Sequence, residues 1–362
     1  METKTFNKAE LQAFINSSSF NELINIPISR RRAISQIHNP RAEDEDILLV
    51  AAFDGNKTVG YLGILPDFVI QGNTKEKIGW LSCFWVDENY KSQNVAASLF
   101  LRVIRAWNQK ILITNVVPTL EPVYQKTKIF LPTLYKSGFR GYLRFNFAEI
   151  LPPKKNFFQK TIFLLKGLDF SLNLVNNIRL NFRKKYAMND ISCEQLNHFD
   201  DSAADFINRF KTQYWTQRGR EELEWIINYP WLTEENENVD SSRYYFSLVE
   251  KTFSPQLIKF KDDSNNIKAI ILLNIRNKNL TVPYLFAEKE SLSIVSKYLI
   301  NTMLKLNLNM ITTFNDDLAE SLKKIKIFYF TKTIQKPYFI SKKMEYIKEL
   351  NFQDGDGDCA FY

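Results

Sequence analysis

Cys83-Phe-Trp-Val-Asp-Glu-Asn-Tyr-Lys-Ser-Gln-Asn-Val-Ala-Ala-Ser-Leu-Phe-Leu-Arg-Val-Ile-Arg-Ala-Trp107 reads as a buried strand, a short polar loop and an amphipathic helix. The aromatic and β-branched start suits a sheet interior. Ala96, Ala97, Phe100, Val103, Ile104 and Trp107 recur at helical spacing and predict one apolar stripe. The loop between them aims backbone N–H groups at whatever lies above the helix start. An anion is favoured there, because the first turn leaves donors unpaired at the positive end of the helix dipole.

Upstream, Ile47 to Phe53 is an apolar run that stops at Asp54-Gly55-Asn56-Lys57 and resumes at Thr58, a hairpin signal. Ile78 to Val86 supplies a third strand. Before the hairpin, residues 7–38 carry short helical faces and the run Arg30-Arg31-Arg32, read as a solvated face rather than an anion clamp. Downstream come a strand over Ile111–Val117, a segment with Pro118, Pro122 and Pro132, and Leu134-Tyr-Lys-Ser-Gly-Phe139, read as a helix end before a strand pair near Gly141 to Ile150. The fold class is mixed α/β.

Composition narrows the class. The chain has 362 residues, 45% apolar and 14% aromatic, enough for two cores and too apolar for general disorder. A net charge of +8 favours an anionic partner without selecting one. The N-terminus lacks a hydrophobic signal core and no run of apolar residues is long enough to span a bilayer, so the cytoplasm is expected. Cys83, Cys193 and Cys359 stand apart, and His38 and His198 are the two histidines; no metal site and no histidine relay is expected.

Three segments are expected: a first domain over 1–151, a basic amphipathic connector over 152–190 and a second domain over 191–362. Prolines 152 and 153 open the connector, whose Phe, Leu, Lys and Arg residues, through Lys185 and Tyr186, read as helix buried between domains rather than lying on a membrane. The second domain, from Ile191, repeats the order of the first, with a helix over Ala203–Arg218 and strands from Tyr244, Leu257, Ala269, Leu280, Met310 and Tyr338. The Trp225–Trp231 cluster reads as junction packing. Where the first half has its loop, the second has Phe286-Ala-Glu-Lys-Glu-Ser-Leu-Ser, whose carboxylates would repel a phosphate. Asp354-Gly-Asp-Gly-Asp358 starts like a calcium loop but lacks its later ligands, so a turn into a final strand is expected.

The first half resembles the GNAT superfamily of acyl-CoA-dependent N-acyltransferases. Its pyrophosphate loop, Gln/Arg-x-x-Gly-x-Gly/Ala, aligns with Lys91-Ser92-Gln93-Asn94-Val95-Ala96, where Lys91 and Asn94 depart from the pattern. Asparagine tolerates a left-handed backbone better than most residues, and Lys91 keeps a charge without the arginine fork. The family's Leu-Tyr-x-x-x-Gly-Phe matches Leu134, Tyr135, Gly138 and Phe139.

The resemblance implies two GNAT-like domains, each a mostly antiparallel mixed sheet flanked by helices, the second degenerate as in tandem or Fem-type proteins. It implies acetyl-CoA, or another acyl-CoA, held by Phe84, Trp85, Val86, Lys91, Ser92, Gln93, Asn94, Val95, Ala96 and Ala97. The acyl group would pass directly to a primary amine of an amino sugar, amino acid or peptide, with Tyr135 as general acid. Neither nucleic acid nor membrane is an expected partner. Fem-like aminoacyl transfer and a non-catalytic binding role are the alternatives, and Glu88 and Asp87 are candidates for base or cap.

Overall fold

A computed structural model of the chain describes residues 1–116, 120–184, 192–234, 240, 242–246 and 249–361. Val117, Pro118, Lys185, Tyr186, Ile191 and Tyr362 lie outside the described residues. The chain begins with Glu2–Phe6 (β1), Lys8–Asn16 (α1), Ser18–Glu22 (α2) and Arg30–Ile37 (α3). Then come Leu49–Asp54 (β2), Lys57–Gln71 (β3), Thr74–Val86 (β4), Val95–Ala106 (α4), Ile111–Thr114 (β5), Glu121–Lys126 (α5) and Leu134–Tyr142 (β6). Phe147–Ile150 (α6), Asn156–Lys160 (α7), Ile162–Lys184 (α8), Cys193–Leu196 (β7), Asp201–Lys211 (α9) and Arg220–Asn228 (α10) follow. After the short strands Thr233–Glu234 (β8) and Val249–Glu250 (β9) come Phe253–Lys261 (β10), Ile267–Arg276 (β11) and Asn279–Ala287 (β12). Leu292–Lys305 (α11), Met310–Thr313 (β13), Asp316–Lys324 (α12) and Phe330–Ile340 (β14) complete the longer elements.

The mixed α/β chain divides into two compact units that are not consecutive halves: 1–136 with 197–255 and 335–362, and 137–196 with 256–334. The strands explain the interleaving. In unit 1, β1 to β4 pair antiparallel in order and β5 joins β4 in parallel; the end of β14 then pairs antiparallel with β5, Tyr338 opposite Thr114. In unit 2, β10, β11, β12 and β13 repeat this order, and the strand closing against β13 is β6, Phe139 opposite Thr313. Each unit is thus closed by the strand that follows the other's series. The expected boundaries at 151 and 191 miss this, because alternation identifies a strand without naming its neighbour.

Both faces of the unit 1 sheet are covered. Alternate residues of β2 serve two cores: Val50 and Ala52 pack under Val95, Leu99 and Val103 of α4, while Leu49, Ala51 and Phe53 join Leu11, Phe20 and Ala33 of α1 to α3. A strand buried on both faces reads as an unbroken apolar run, as Ile47 to Phe53 does.

Several local readings need correction. Leu134 to Phe139 is strand rather than helix end, and residues 147–150 are helix rather than strand. The helix expected over 203–218 is α9, which starts at Asp201 and stops at Lys211, and the next helix, α10, starts at Arg220. Cys359–Phe361 forms a 3-10 turn, not a strand. The described part of the connector is buried on one side only: Asn176 and Leu180 are buried, while Phe163, Leu164, Phe170, Leu174, Val175, Ile178 and Phe182 are exposed. Among the described residues no helix is long and apolar enough to cross a membrane.

Candidate active site

The site begins at a defect in the β3–β4 hairpin. Pairing is regular from Gln71↔Thr74 to Gly63↔Ser82 and resumes at Tyr61↔Trp85, so Leu62 is opposed by two residues, Cys83 and Phe84. Cys83 has φ 53°, the left-handed region that a residue with a side chain rarely occupies. On its other side, β4 pairs with β5 only at Gly79↔Ile111 and Trp80↔Leu112. From Cys83 to Val86 the strand is half-exposed, whereas Ile78 to Ser82 is buried. Phe84, Trp85 and Val86 therefore form a bulged edge without a β5 partner.

That edge runs into the loop. Asp87 caps a 3-10 turn over Glu88–Gln93, its Oδ1 accepting the Asn89 N–H at 2.8 Å. Asn94 follows at φ 57°, ψ 18°, and α4 starts at Val95 without a side-chain cap. The asparagine thus supplies the left-handed hinge, and the first-turn N–H groups of α4 have no intrahelical acceptor. Val95 is buried, while Ala96 and Ala97 are exposed rather than part of the apolar stripe, so only methyl groups border the donors. Local charge balances: Lys91 meets Glu88 at 2.9 Å and Lys57 meets Asp87 at 2.8 Å. Uncapped donors beside small side chains suit a pyrophosphate.

A polar group behind the bulge escaped the sequence reading. Arg32, on α3, is buried, and its guanidinium lies against the strand where β3 has a glycine: a Cβ on Gly63 would stand 2.7 Å from Arg32 Nη2. Nη1 donates to the Tyr244 hydroxyl at 3.0 Å, and the guanidinium carbon lies 4.3 Å from the Trp231 ring centre. Its Nε and Nη2 have no hydrogen-bond acceptor among the described residues. Burial opposes the charge, yet Cys83, Tyr244 and Asp358 raise the pKa above the ordinary arginine value. Next to the bulge, the Ser82 hydroxyl donates to Asp358 Oδ2. The Asp-Gly repeat therefore supports the sheet, with Gly357 at φ 70° allowing the turn beneath Trp80.

A second ionic cluster braces β3. Asp67, fully buried, accepts from Arg41 Nη1 at 2.6 Å, Arg218 Nη2 at 2.7 Å and Trp80 Nε1 at 3.0 Å. Burial alone would raise its carboxyl, but Arg218 and Arg41 hold it below the usual range; Glu222 is likewise lowered by Arg41 against the effect of burial. Trp225 donates to the Ser35 carbonyl at 2.7 Å and Trp231 stacks on Phe361 at 4.5 Å, so these tryptophans pack within unit 1. A sequence hint existed for Arg32: helix α3 buries Arg32, Ser35 and Gln36 with Ala33, a polar face that periodicity scores as solvated.

Tyr135 sits on β6, half-exposed, its hydroxyl donating to Glu121 Oε2 at 2.8 Å. That hydrogen bond, more than burial, raises its pKa above the ordinary phenol value. The helix after β5 is α5, whose Tyr124 packs among Phe100, Phe130 and Phe339. In unit 2 the corresponding step is β12, a 3-10 turn over Lys289–Ser291 and α11, where Glu288 meets Lys268 at 3.1 Å.

The bulged, half-open strand, the left-handed hinge and the uncapped helix start come together where the loop motif places them. Residues 15–121, which lie within unit 1, match the model of the Acetyltransferase (GNAT) family. No curated protein matches the sequence. Among solved structures, one similar chain is a conserved protein of unknown function from Enterococcus faecalis V583, described as a probable N-acyltransferase: 8% identity, 96% of this chain and 74% of that one, TM-score 0.52. Another is Saccharomyces cerevisiae N-myristoyltransferase with bound myristoyl-CoA: 11% identity, 93% of this chain and 82% of that one, TM-score 0.51. At such identities the likeness is one of fold.

Proposed function

We propose that the chain transfers an acyl group from an acyl-CoA, acetyl-CoA in the first instance, to a primary amine. The observation that carries this reading is the unpaired, bulged edge of β4 leading directly into the uncapped start of α4. The pyrophosphate of coenzyme A would meet the backbone from Ser92 to Ala97, with Lys91 and Gln93 beside it. The thioester would lie along Phe84, Trp85 and Val86, whose backbone donors stabilise charge on its oxygen.

The acceptor reaches the bulge as a neutral amine, and the Asp358 carboxylate accepts a hydrogen bond from its nitrogen. Its nitrogen attacks the thioester carbonyl; the C–N bond forms, the C–S bond breaks, and the proton that the nitrogen gives up as the amide forms is taken up by the leaving thiolate. Tyr135, held protonated by Glu121, contributes a hydrogen bond to the leaving sulfur; its raised pKa makes it a weaker acid than a thiol. Positioning does most of the work and no covalent enzyme intermediate is needed. The left-handed Asn94 supports a working coenzyme A loop, because the hinge survives the loss of glycine.

The test is release of free thiol from acetyl-CoA with a panel of amino acids, amino sugars and short peptides. Asp358→Asn is expected to abolish amine-dependent release while leaving coenzyme A affinity within about twofold. Loss of both in parallel, with the fold intact, would remove Asp358 from the acceptor side.

A further inference from the structure

Helix α8 docks through a face that carries Asp169, Asn173 and Asn176 together with the buried Leu180. Asp169 accepts the backbone N–H groups of Phe147 and Ala148 at 2.7 and 2.9 Å. Asn173 bonds both backbone groups of Phe145, at 3.0 and 2.8 Å, and Asn176 donates to the Leu143 carbonyl at 2.9 Å. Spaced by four and three residues, these side chains form one stripe along the helix. At about 100° per residue, Phe163, Leu164, Leu168, Leu174, Val175, Ile178 and Phe182 fall on the opposite side. All seven are exposed, Phe163 by 83% and Phe182 by 76%, and Phe157 of α7 is exposed as well.

An amphipathic helix on a water-soluble surface has the reverse arrangement. Its polar stripe satisfies backbone groups that would otherwise be buried unpaired. The outward face is a contiguous apolar patch rather than scattered single residues, and such a patch marks contact with an apolar surrounding.

We propose that α8 lies in the surface of an anionic lipid bilayer, inserting its apolar face between headgroups. Charge selects this occupant. Residues 152–184 contain seven cations, Lys154, Lys155, Lys160, Lys166, Arg179, Arg183 and Lys184, and a single carboxylate, Asp169, which is engaged with the backbone. A second copy packed on this face would bring like charges together with no carboxylate to answer them, whereas anionic headgroups supply the missing charge. The helix has 23 residues, about 34 Å at 1.5 Å each, and is not apolar enough to span a membrane, which leaves the orientation parallel to the surface. This inference does not depend on acyl transfer.

The experiment is sedimentation of the full chain with vesicles of phosphatidylcholine, alone or mixed with phosphatidylglycerol. Wild type is expected to pellet with the mixed vesicles and to be released by salt. Phe163→Ser, Leu174→Ser and Phe182→Ser together are expected to weaken partitioning about a hundredfold or more. These positions are exposed, so folding should persist, checked by circular dichroism. No pelleting, equal pelleting with both vesicle types, or a vesicle-independent dimer that the triple substitution dissolves would each overturn the proposal.

Discussion

Asn94 offers a substitution series whose outcome follows from one backbone angle. At φ 57° it occupies the left-handed region, its side chain is exposed, and it makes no capping hydrogen bond to α4. Substitution therefore acts through the backbone alone. A residue with a Cβ costs about 1–2 kcal/mol in this conformation, asparagine less and glycine least. Asn94→Gly is expected to unfold in urea within about 0.5 kcal/mol of wild type, Asn94→Ala about 1 kcal/mol earlier and the β-branched Asn94→Val about 2 kcal/mol earlier. Because the hinge sets the direction of the first-turn donors, coenzyme A affinity measured by calorimetry should follow the same order. The alanine variant is expected to weaken Kd about fivefold and the valine variant about thirtyfold. Alanine and valine variants equal to glycine in both stability and affinity would refute the role assigned to the hinge.

Other outcomes follow from the buried groups. Asp67→Asn leaves Arg41 and Arg218 without their shared carboxylate and is expected to cost about 3–5 kcal/mol in urea unfolding. Asp67 and Glu222 both have pKa values lowered on folding, so their stabilisation is present above about pH 4 and lost as pH falls below it; urea midpoints of Asp67→Asn should show a shallower acid-side decline than wild type. Arg32→Lys keeps a charge behind the bulge but loses the planar fork that stacks on Trp231 and reaches Tyr244, and is expected to lower stability by about 1–2 kcal/mol in urea unfolding; an unchanged urea midpoint would remove Arg32 from the support of the bulge. Tyr135→Phe should lower kcat about tenfold or more with coenzyme A affinity retained, and unchanged turnover would remove it from the reaction.

How much the sequence disclosed depended on whether the information was local. The hairpin, the β4-loop-α4 unit and the tolerance of Asn94 for a left-handed turn are written in neighbouring residues, and they are legible there. Near Tyr135 the local pattern Leu-Tyr-x-x-x-Gly-Phe suits a helix end, while tertiary pairing with β13 draws Phe139 to Tyr142 into a strand. The exchange of β6 and β14 depends on partners about 170 to 225 residues away, which no local period reports. Arg32 looked like one member of a solvated basic run, and only the glycine at position 63 with the ring of Trp231 makes room for its burial. Segment 152–184 shows the converse: its amphipathic pattern was legible, but the direction of the apolar face was not, because that face turns away from the protein.

The central claim, that the β4 edge and the start of α4 receive an acyl-CoA, is tested most directly by calorimetric titration of the full chain with acetyl-, octanoyl- and myristoyl-CoA, comparing wild type with Asn94→Val. The expected result is saturable binding of at least one of them, one per chain, weakened by the valine. Absence of binding for all three, or binding that the valine leaves unchanged, would contradict it.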